Sequence, residues 1–309
     1  MNNILIELPT WIGDAVMITP SLENLRKKYP KASFSFIGPK NSIDLFTDFP
    51  NCKELIKINK NNLEIIRKFL KIDRCEIFIS YRSSFRSRLL KFFLPAKARY
   101  QFNKNTYKYG HQVERYNAFT NKVLMAEYSP DQLRLYIKKN TQKNIKKSVG
   151  ISPGAAYGSA KRWTLEGFKK VSIELSTDYQ IFLLGSKNEI DLCNSIESLF
   201  KEHKLPNVIN LAGRTNIQEL MKLISTLDLF ITGDSGPMHI AAAFQVPTIS
   251  IFGPTEDRDT SQWKNHKSKI IKRNYECQPC MKRKCPLKHH LCMEDITPEE
   301  IIIEAKKLI

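Results

Sequence analysis

Six consecutive residues, Asp234 to His239, carry an acid, a hydroxyl, a glycine, a proline, a methionine and a histidine between the apolar runs "LFITG" and "TISIFG". The first run reads as a strand and "PMHIAAAF" as a short helix, which places Ser235 and Gly236 at a helix N-terminus with Pro237 near the first helical position. Backbone N–H groups at such an end lack intrahelical partners, and together with the helix dipole they make an anion site. Gly236 lets a ligand approach the backbone closely. Asp234 would repel a phosphate; it is better suited to capping the helix or accepting hydrogen bonds from ligand hydroxyls. His239, on the first turn, can donate to a phosphate oxygen. A capped helix with an incidental histidine fits the same residues, and both readings stand at this level.

A second acid follows "NILIEL", the apolar run nearest the amino terminus. "PTWIGDAV" puts Asp14 at the start of a helix, where an N-cap and a general base are both served by a carboxylate. An ordinary aspartate, with a pKa near ~3.9, is a weak base, so any proton it takes must move late, as a leaving group departs. Asp257 and Asp259 in "EDRD" could be taken for a metal-binding pair, but two acids after "FGPT" read more simply as a turn. Cys277, Cys280, Cys285 and Cys292 form the one metal-like pattern, with His289 and His290 nearby. Their spacings match no standard zinc finger, and bound zinc, bridged thiols and free thiols stay open. Lys282, Arg283 and Lys284 are expected to lower the thiol pKa values.

These residues need a scaffold of strand ends. "NILIEL", "SFSFIG", "ELIKI" and "CEIFIS" are strand candidates in the first part of the chain, with a helix read from Ala15 to Lys28. The polar, basic text "KKNTQKNIKK" from Lys138 to Lys147 reads as a linker. The rhythm then restarts with "SVGIS", a helix over Leu165–Leu175, "QIFLLG", a helix over Glu189–Phe200, "VINLAG", a helix over Ile217–Leu227, and the two runs above. Thr297, Pro298 and the acids behind them open a terminal helix. The expected fold is α/β: two Rossmann-like, doubly wound domains facing a cleft, spanning 1–143 and 144–295, with a C-terminal helix over 296–309.

Lys plus Arg total 49 against 31 Asp plus Glu, a formal net charge of +18 that favours anionic partners. The positive charge reads as spread along the chain, and no nucleic-acid motif accompanies it, so nucleic acid is not an expected partner. No G-x-G-x-x-G follows the first strand, which argues against a dinucleotide redox enzyme. No signal peptide and no membrane-length apolar run are read, so a cytoplasmic location is expected.

The stretch "DSGPMHIAAAFQVPTISIFGPT" resembles the signature of the ADP-heptose:lipopolysaccharide heptosyltransferases, glycosyltransferase family 9. "ELPTWIGDAVMITPSLENLRKKYP" resembles that family's amino-terminal loop and first helix, and "SPGAAYGSAKRW" the opening of its second domain. "CQPCMKRKCPLKHHLCMEDITPE" resembles the carboxyl-terminal stretch of the branch that adds the second heptose. The resemblance implies a glycosyltransferase B architecture. It implies inverting transfer of heptose from ADP-heptose to the first heptose of heptosyl-Kdo-lipid A, with no required metal or other cofactor. It also implies work at the inner face of the cytoplasmic membrane, as a peripheral protein. On this reading Asp14 aligns with the catalytic aspartate and Lys161 with the lysine on the donor diphosphate. Glu189 and Thr215, in strand-end loops, join Asp234, Ser235, Gly236 and His239 on the donor side. Gly13, Arg82, Arg86, Arg88 and Arg115 are expected on the acceptor side, the arginines facing phosphates and carboxylates. His111 and the aromatics Phe92, Phe93, Tyr100 and Phe102 lie near them; the aromatics rest on acyl chains or belong to the core. Another two-domain transferase or epimerase using a different nucleotide sugar shares most of these features, and a basic nucleic-acid-binding protein is the more distant alternative.

Overall fold

Runs of β-branched and aromatic residues buried on both faces favour parallel strands, and the computed structural model bears this out in both halves of the chain. It describes residues 3–58, 72–138 and 146–309, the side chains of Leu89 and Leu90 excepted. Two compact units result, residues 1–138 and 139–309. The expected domain boundary at 143/144 lies outside the described residues.

The first unit holds a sheet of β1 (Asn3–Glu7), β2 (Ser33–Gly38), β3 (Cys52–Lys57), β4 (Cys75–Ser80) and β5 (Ala96–Gln101). Their order is β3-β2-β1-β4-β5 and every pairing is parallel. The central strands β1 and β4 are almost wholly buried, whereas β3 and β5 alternate with lysine, arginine and glutamate, as edge strands do. That polarity hides β5 from a search for apolar runs. The helix expected from Ala15 to Lys28 is two helices, α1 (Ile12–Met17) and α2 (Thr19–Lys28). Pro20 has no N–H to offer the Val16 carbonyl, and Thr19 Oγ1 donates to that oxygen instead at 2.7 Å. A short α3 (Lys40–Asp44) follows β2. Two further helices follow later strands: α4 (Phe85–Phe93) and α5 (Gln112–Leu124).

The second unit holds β6 (Ser148–Ser152), β7 (Gln180–Leu183), β8 (Val208–Asn210), β9 (Leu229–Gly233), β10 (Thr248–Phe252) and β11 (Ser268–Lys272). The order β11-β10-β9-β6-β7-β8 is again parallel throughout. Helices α6 (Leu165–Leu175), α7 (Ile190–Glu202), α8 (Ile217–Ile224) and α9 (Gly236–Ala243) connect the strands, and α10 (Asp257–Thr260) and α11 (Leu291–Glu294) are single turns. The terminal helix α12 (Pro298–Leu308) is capped by Thr297 Oγ1, which accepts from Glu300 N at 3.3 Å. Its Ile301 and Ala305, one turn apart, are fully buried in the same core as Val149, Trp163 and Ile231. Among the described residues no helix is long and apolar enough to cross a membrane.

Candidate active site

In each sheet the strand order reverses beside the first strand of the unit, between β1 and β4 in one and between β6 and β9 in the other. Loops leaving the carboxyl ends of such strand pairs form the crevice where ligands bind in open α/β sheets. In the second unit those loops are "PGAA" after β6 and "DSGP" after β9. Ser235 is the N-cap of α9, Gly236 its first residue and Pro237 its second, as the sequence suggests. The Ser235 hydroxyl makes no cap; it pairs with Thr232 Oγ1 at 3.0 Å. Asp234 does not cap the helix either. Its Oδ2 accepts from Lys161 Nζ and, at 2.7 Å, from Thr255 Oγ1. With 12% and 7% of their side chains exposed, Lys161 and Asp234 are a buried ion pair whose two charges offset each other. His239 is buried on the first turn of α9, 3% exposed.

Three residues that the sequence does not place beside Lys161 complete this arrangement. Thr255, from the closing "FGPT", holds Asp234 from the other side. The Tyr157 ring lies under Lys161 Nζ at 4.8 Å and under the Arg283 guanidinium at 5.1 Å. Tyr157 lies in "SPGAAYGSAKRW", four residues before Lys161, but nothing along the chain brings Arg283 to it. The cysteine-rich segment does so by bracing the Lys161 turn. Ala160 N donates to Arg283 O at 3.1 Å, His290 Nε2 meets Ala160 O at 2.9 Å, and Met281 N donates to Pro254 O at 2.8 Å. A Cβ on Gly158 would run into the Arg283 backbone, so glycine is what permits the approach.

Cys277, Cys280, Cys285 and Cys292 line one cavity of about 10 Å³ with His289 and His290. All seven cysteines are free, and among the described residues no three Cys, His, Asp or Glu side chains are placed to hold a metal. The expected lowering of thiol pKa does not hold at Cys292, which burial and then the neighbouring Cys277, Cys285 and Cys280 push up to about 11. Asp257 forms a surface ion pair with Lys272 at 2.6 Å.

Glu189 ends a short turn after β7 and is 9% exposed. Its Oε2 accepts from Ser186 N at 2.6 Å, and its other oxygen lies against Gly154, where a Cβ would overlap the carboxylate. Glu189 thus reaches the loop after β6. Thr215 is half-buried in the loop between β8 and α8. A larger groove of about 560 Å³ runs between α6 and α12, lined by Thr164, Lys170, Glu174 and Glu299, and contains none of the candidate residues.

In the first unit Trp11 is the N-cap of α1, so Asp14 stands in the first turn and is not the cap the spacing allowed. Gly13 precedes it, half-buried. Asp14 Oδ1 accepts from Tyr116 Oη at 3.1 Å. Tyr116 is buried on α5, and burial first and Asp14 second hold its pKa well above 10, so it stays a proton donor. The sequence reading passed over Tyr116, because residues 102 apart carry no local sign of contact. Next to α5, His111 proves to be a helix cap: its Nδ1 accepts from Val113 N at 3.2 Å while Glu114 closes the capping box. Arg115, also on α5, reaches Gln112 Oε1 at 3.5 Å.

The other arginines divide. Arg82 Nη1 lies 3.6 Å from Glu7 Oε1. Glu7, at the end of β1, is fully buried and also accepts from Ser80 Oγ at 2.5 Å and Ser87 Oγ at 2.9 Å. Its pKa is raised, burial outweighing these donors and the charges of Arg82 and Arg86. Arg86 feels the same cluster, its own pKa lowered by burial and by Arg82. Arg88 is exposed on α4. Of the nearby aromatics, Phe102 is core and Phe92 and Phe93 are exposed.

Comparison with known proteins places these features in context. Residues 66–291 match the model of "Glycosyltransferase family 9 (heptosyltransferase)". The lipooligosaccharide heptosyltransferase 2 of Campylobacter jejuni serotype O:2 is 40% identical over 316 residues, covering 99% of this chain and 98% of that protein. The solved structure of E. coli ADP-heptose LPS heptosyltransferase II superposes with a TM-score of 0.83 at 23% identity, covering 99% and 98% of the two chains. A family 9 glycosyltransferase from Veillonella parvula superposes at 0.80 with 20% identity, covering 99% and 96%. The last two likenesses speak for the fold.

Proposed function

The chain belongs to glycosyltransferase family 9, the heptosyltransferases, and from that premise we propose that it transfers heptose from ADP-L-glycero-D-manno-heptose to the first heptose of heptosyl-Kdo-lipid A, with inversion, during inner-core synthesis. The observation that carries this reading is the neutral Lys161–Asp234–Thr255 cluster beside the N-terminus of α9. A diphosphate arriving there meets the lysine, the end of α9 opened by Ser235 and Gly236, and His239 within its first turn. Asp234 keeps Lys161 placed before the ligand comes. Glu189 accepts the ribose hydroxyls, and Thr215 lies further along the nucleotide. The second unit is therefore the donor side and the first the acceptor side.

Inversion at the anomeric carbon is a single displacement. The bond from the acceptor hydroxyl oxygen to the anomeric carbon forms as the bond to the ADP oxygen breaks. Asp14 takes the hydroxyl proton, and the electron pair of the broken bond leaves on ADP. Tyr116, donating to Asp14 Oδ1, fixes the orientation of the carboxylate that takes the proton. Gly13 gives the acceptor room, and Arg82, Arg86, Arg88 and Arg115 bind its phosphates and Kdo carboxylates. With the leaving charge met by Lys161 and backbone N–H groups, transfer proceeds without a metal, at the cytoplasmic face of the membrane that carries the acceptor.

Incubation with ADP-heptose and heptosyl-Kdo-lipid A, with product mass read directly, should show the gain of one heptose. No gain would overturn the reading. EDTA should leave the rate intact, and a rate restored only by magnesium or manganese would remove the metal-independent step. Calorimetric titration with ADP and UDP separates the alternative, a related enzyme of another nucleotide sugar, which UDP preference would favour.

A further inference from the structure

Between Glu76 and Glu114 the chain carries eight Lys or Arg residues and no Asp or Glu. The positive surplus is therefore less evenly spread than the overall reading of the sequence suggests. Among the described residues the exposed large aromatics are Trp11, Phe85, Phe92, Phe93 and Tyr109, and the last four of them fall in this same stretch.

Helix α4 concentrates the pattern. Its N-terminus is fastened to the sheet: Ser84 Oγ caps it by accepting from Ser87 N at 3.2 Å, and Ser87 Oγ donates to buried Glu7. At about 100° per residue, Ser87 and the following Leu94 point inward, and both are buried. The same geometry turns Phe85, Arg88, Phe92 and Phe93 to the opposite side, and the three phenylalanines are 69%, 71% and 70% exposed. Three bare phenylalanine rings on a helix with only basic charge are a poor surface for water and for nucleic-acid phosphates alone. They suit a boundary that is anionic at its surface and apolar just beneath, where aromatic rings sit at headgroup level and Lys or Arg meet lipid phosphates.

We propose that the first unit docks on an anionic lipid bilayer through α4, with Phe85, Phe92 and Phe93 entering the headgroup region and the surrounding basic residues lying over lipid phosphates. The proposal rests on the reading of a lipid-anchored acceptor, and it adds how the protein reaches that acceptor.

The test uses the full chain and the triple variant Phe85→Ser, Phe92→Ser, Phe93→Ser, which leaves Asp14, Lys161 and the acceptor-side arginines in place. Wild type should float with vesicles containing phosphatidylglycerol and not with phosphatidylcholine alone, less so at high salt. The variant should bind the anionic vesicles about tenfold or more weakly, with an unchanged melting temperature. Its kcat/KM should fall on acceptor embedded in vesicles and hold on an acceptor stripped of acyl chains. Equal vesicle binding by the variant, or binding of wild type to RNA but not to vesicles, would overturn the proposal. So would a variant that turns a dimer into a monomer and binds vesicles normally, since α4 would then serve a second copy. If wild type floats but transfers no heptose to either acceptor, the functional reading fails while the docking surface stands.

Discussion

The two units share a strand order at their switch points but handle charge in opposite ways. In the second unit Lys161 and Asp234 neutralise each other in a buried pair held by Thr255 and propped on Tyr157. In the first, basic residues outnumber acids around the strand ends, Arg88 and the rings of α4 face outward, and Asp14 has the Tyr116 hydroxyl on one oxygen. A site with its charges already paired suits a small ligand of fixed geometry, because little must reorganise when a diphosphate arrives. A basic surface suits a large anionic partner met over an extended area. Under the proposed function, the contrast is how one architecture serves a soluble donor and a lipid-borne acceptor: by placing its charge differently.

The largest expected effect falls on the first unit. Asp14→Asn should lower turnover by ~10²–10⁴-fold while ADP affinity and melting temperature hold, since Asp14 is not the helix cap. Near-normal turnover in initial-rate measurements would remove the base from that unit and with it the division of labour.

Lys161→Ala tests the donor side. ADP affinity should drop by about ten- to a hundredfold, the ~1.5–3 kcal/mol of a charge-assisted contact. Stability should also fall, by about 3 kcal/mol, because Asp234 is left buried without its cation. Joining Lys161→Met to Asp234→Asn should restore melting temperature but not ADP affinity. Recovery of both would mean that the pair serves folding alone. On the same side, Gly154→Ala drives a methyl group into the Glu189 carboxylate and should cost about 1–3 kcal/mol of stability and weaken ADP binding. Unchanged calorimetric affinity would detach Glu189 from the nucleotide.

Tyr116→Phe sharpens the acceptor side. Removing a donor to the ionised Asp14 should raise the pKa of that carboxyl, so the acid limb of the kcat/KM profile moves to higher pH, with a loss of about 1 kcal/mol. A profile that does not move would make the contact purely structural.

The smallest effect concerns Glu7. Burial raises its pKa, so its contribution to stability is full below the unfolded value near 4.5 and is lost as pH rises through the folded value. The melting temperature of wild type relative to Glu7→Gln should therefore improve on acidification toward 4.5. A difference independent of pH would show that Ser80, Ser87 and Arg82 offset the burial completely.

Strands such as Ser33–Gly38, Cys75–Ser80 and Leu229–Gly233, and the turn that opens α9, were legible because they depend on local pattern: apolar runs buried on both faces, and a proline and glycine at a helix start. The edge strands β5 and β11 were not, because water on one side removes the apolar signal that marks an inner strand. The break between α1 and α2 was visible in Pro20 only once the Val16 carbonyl had a substitute donor in Thr19.

The sequence by itself determined which residues stand at strand ends: Asp14, Glu189, Asp234 and Ser235 owe their places to where apolar runs stop. The tertiary structure alone decided what each of them touches. Lys161 is 73 residues from Asp234, Tyr116 is 102 from Asp14 and Ser80 is 73 from Glu7. Parallel strands must be joined by long crossovers, so a residue at one strand end meets partners far along the chain. Propensity and periodicity, which act over a few residues, carry no record of those meetings.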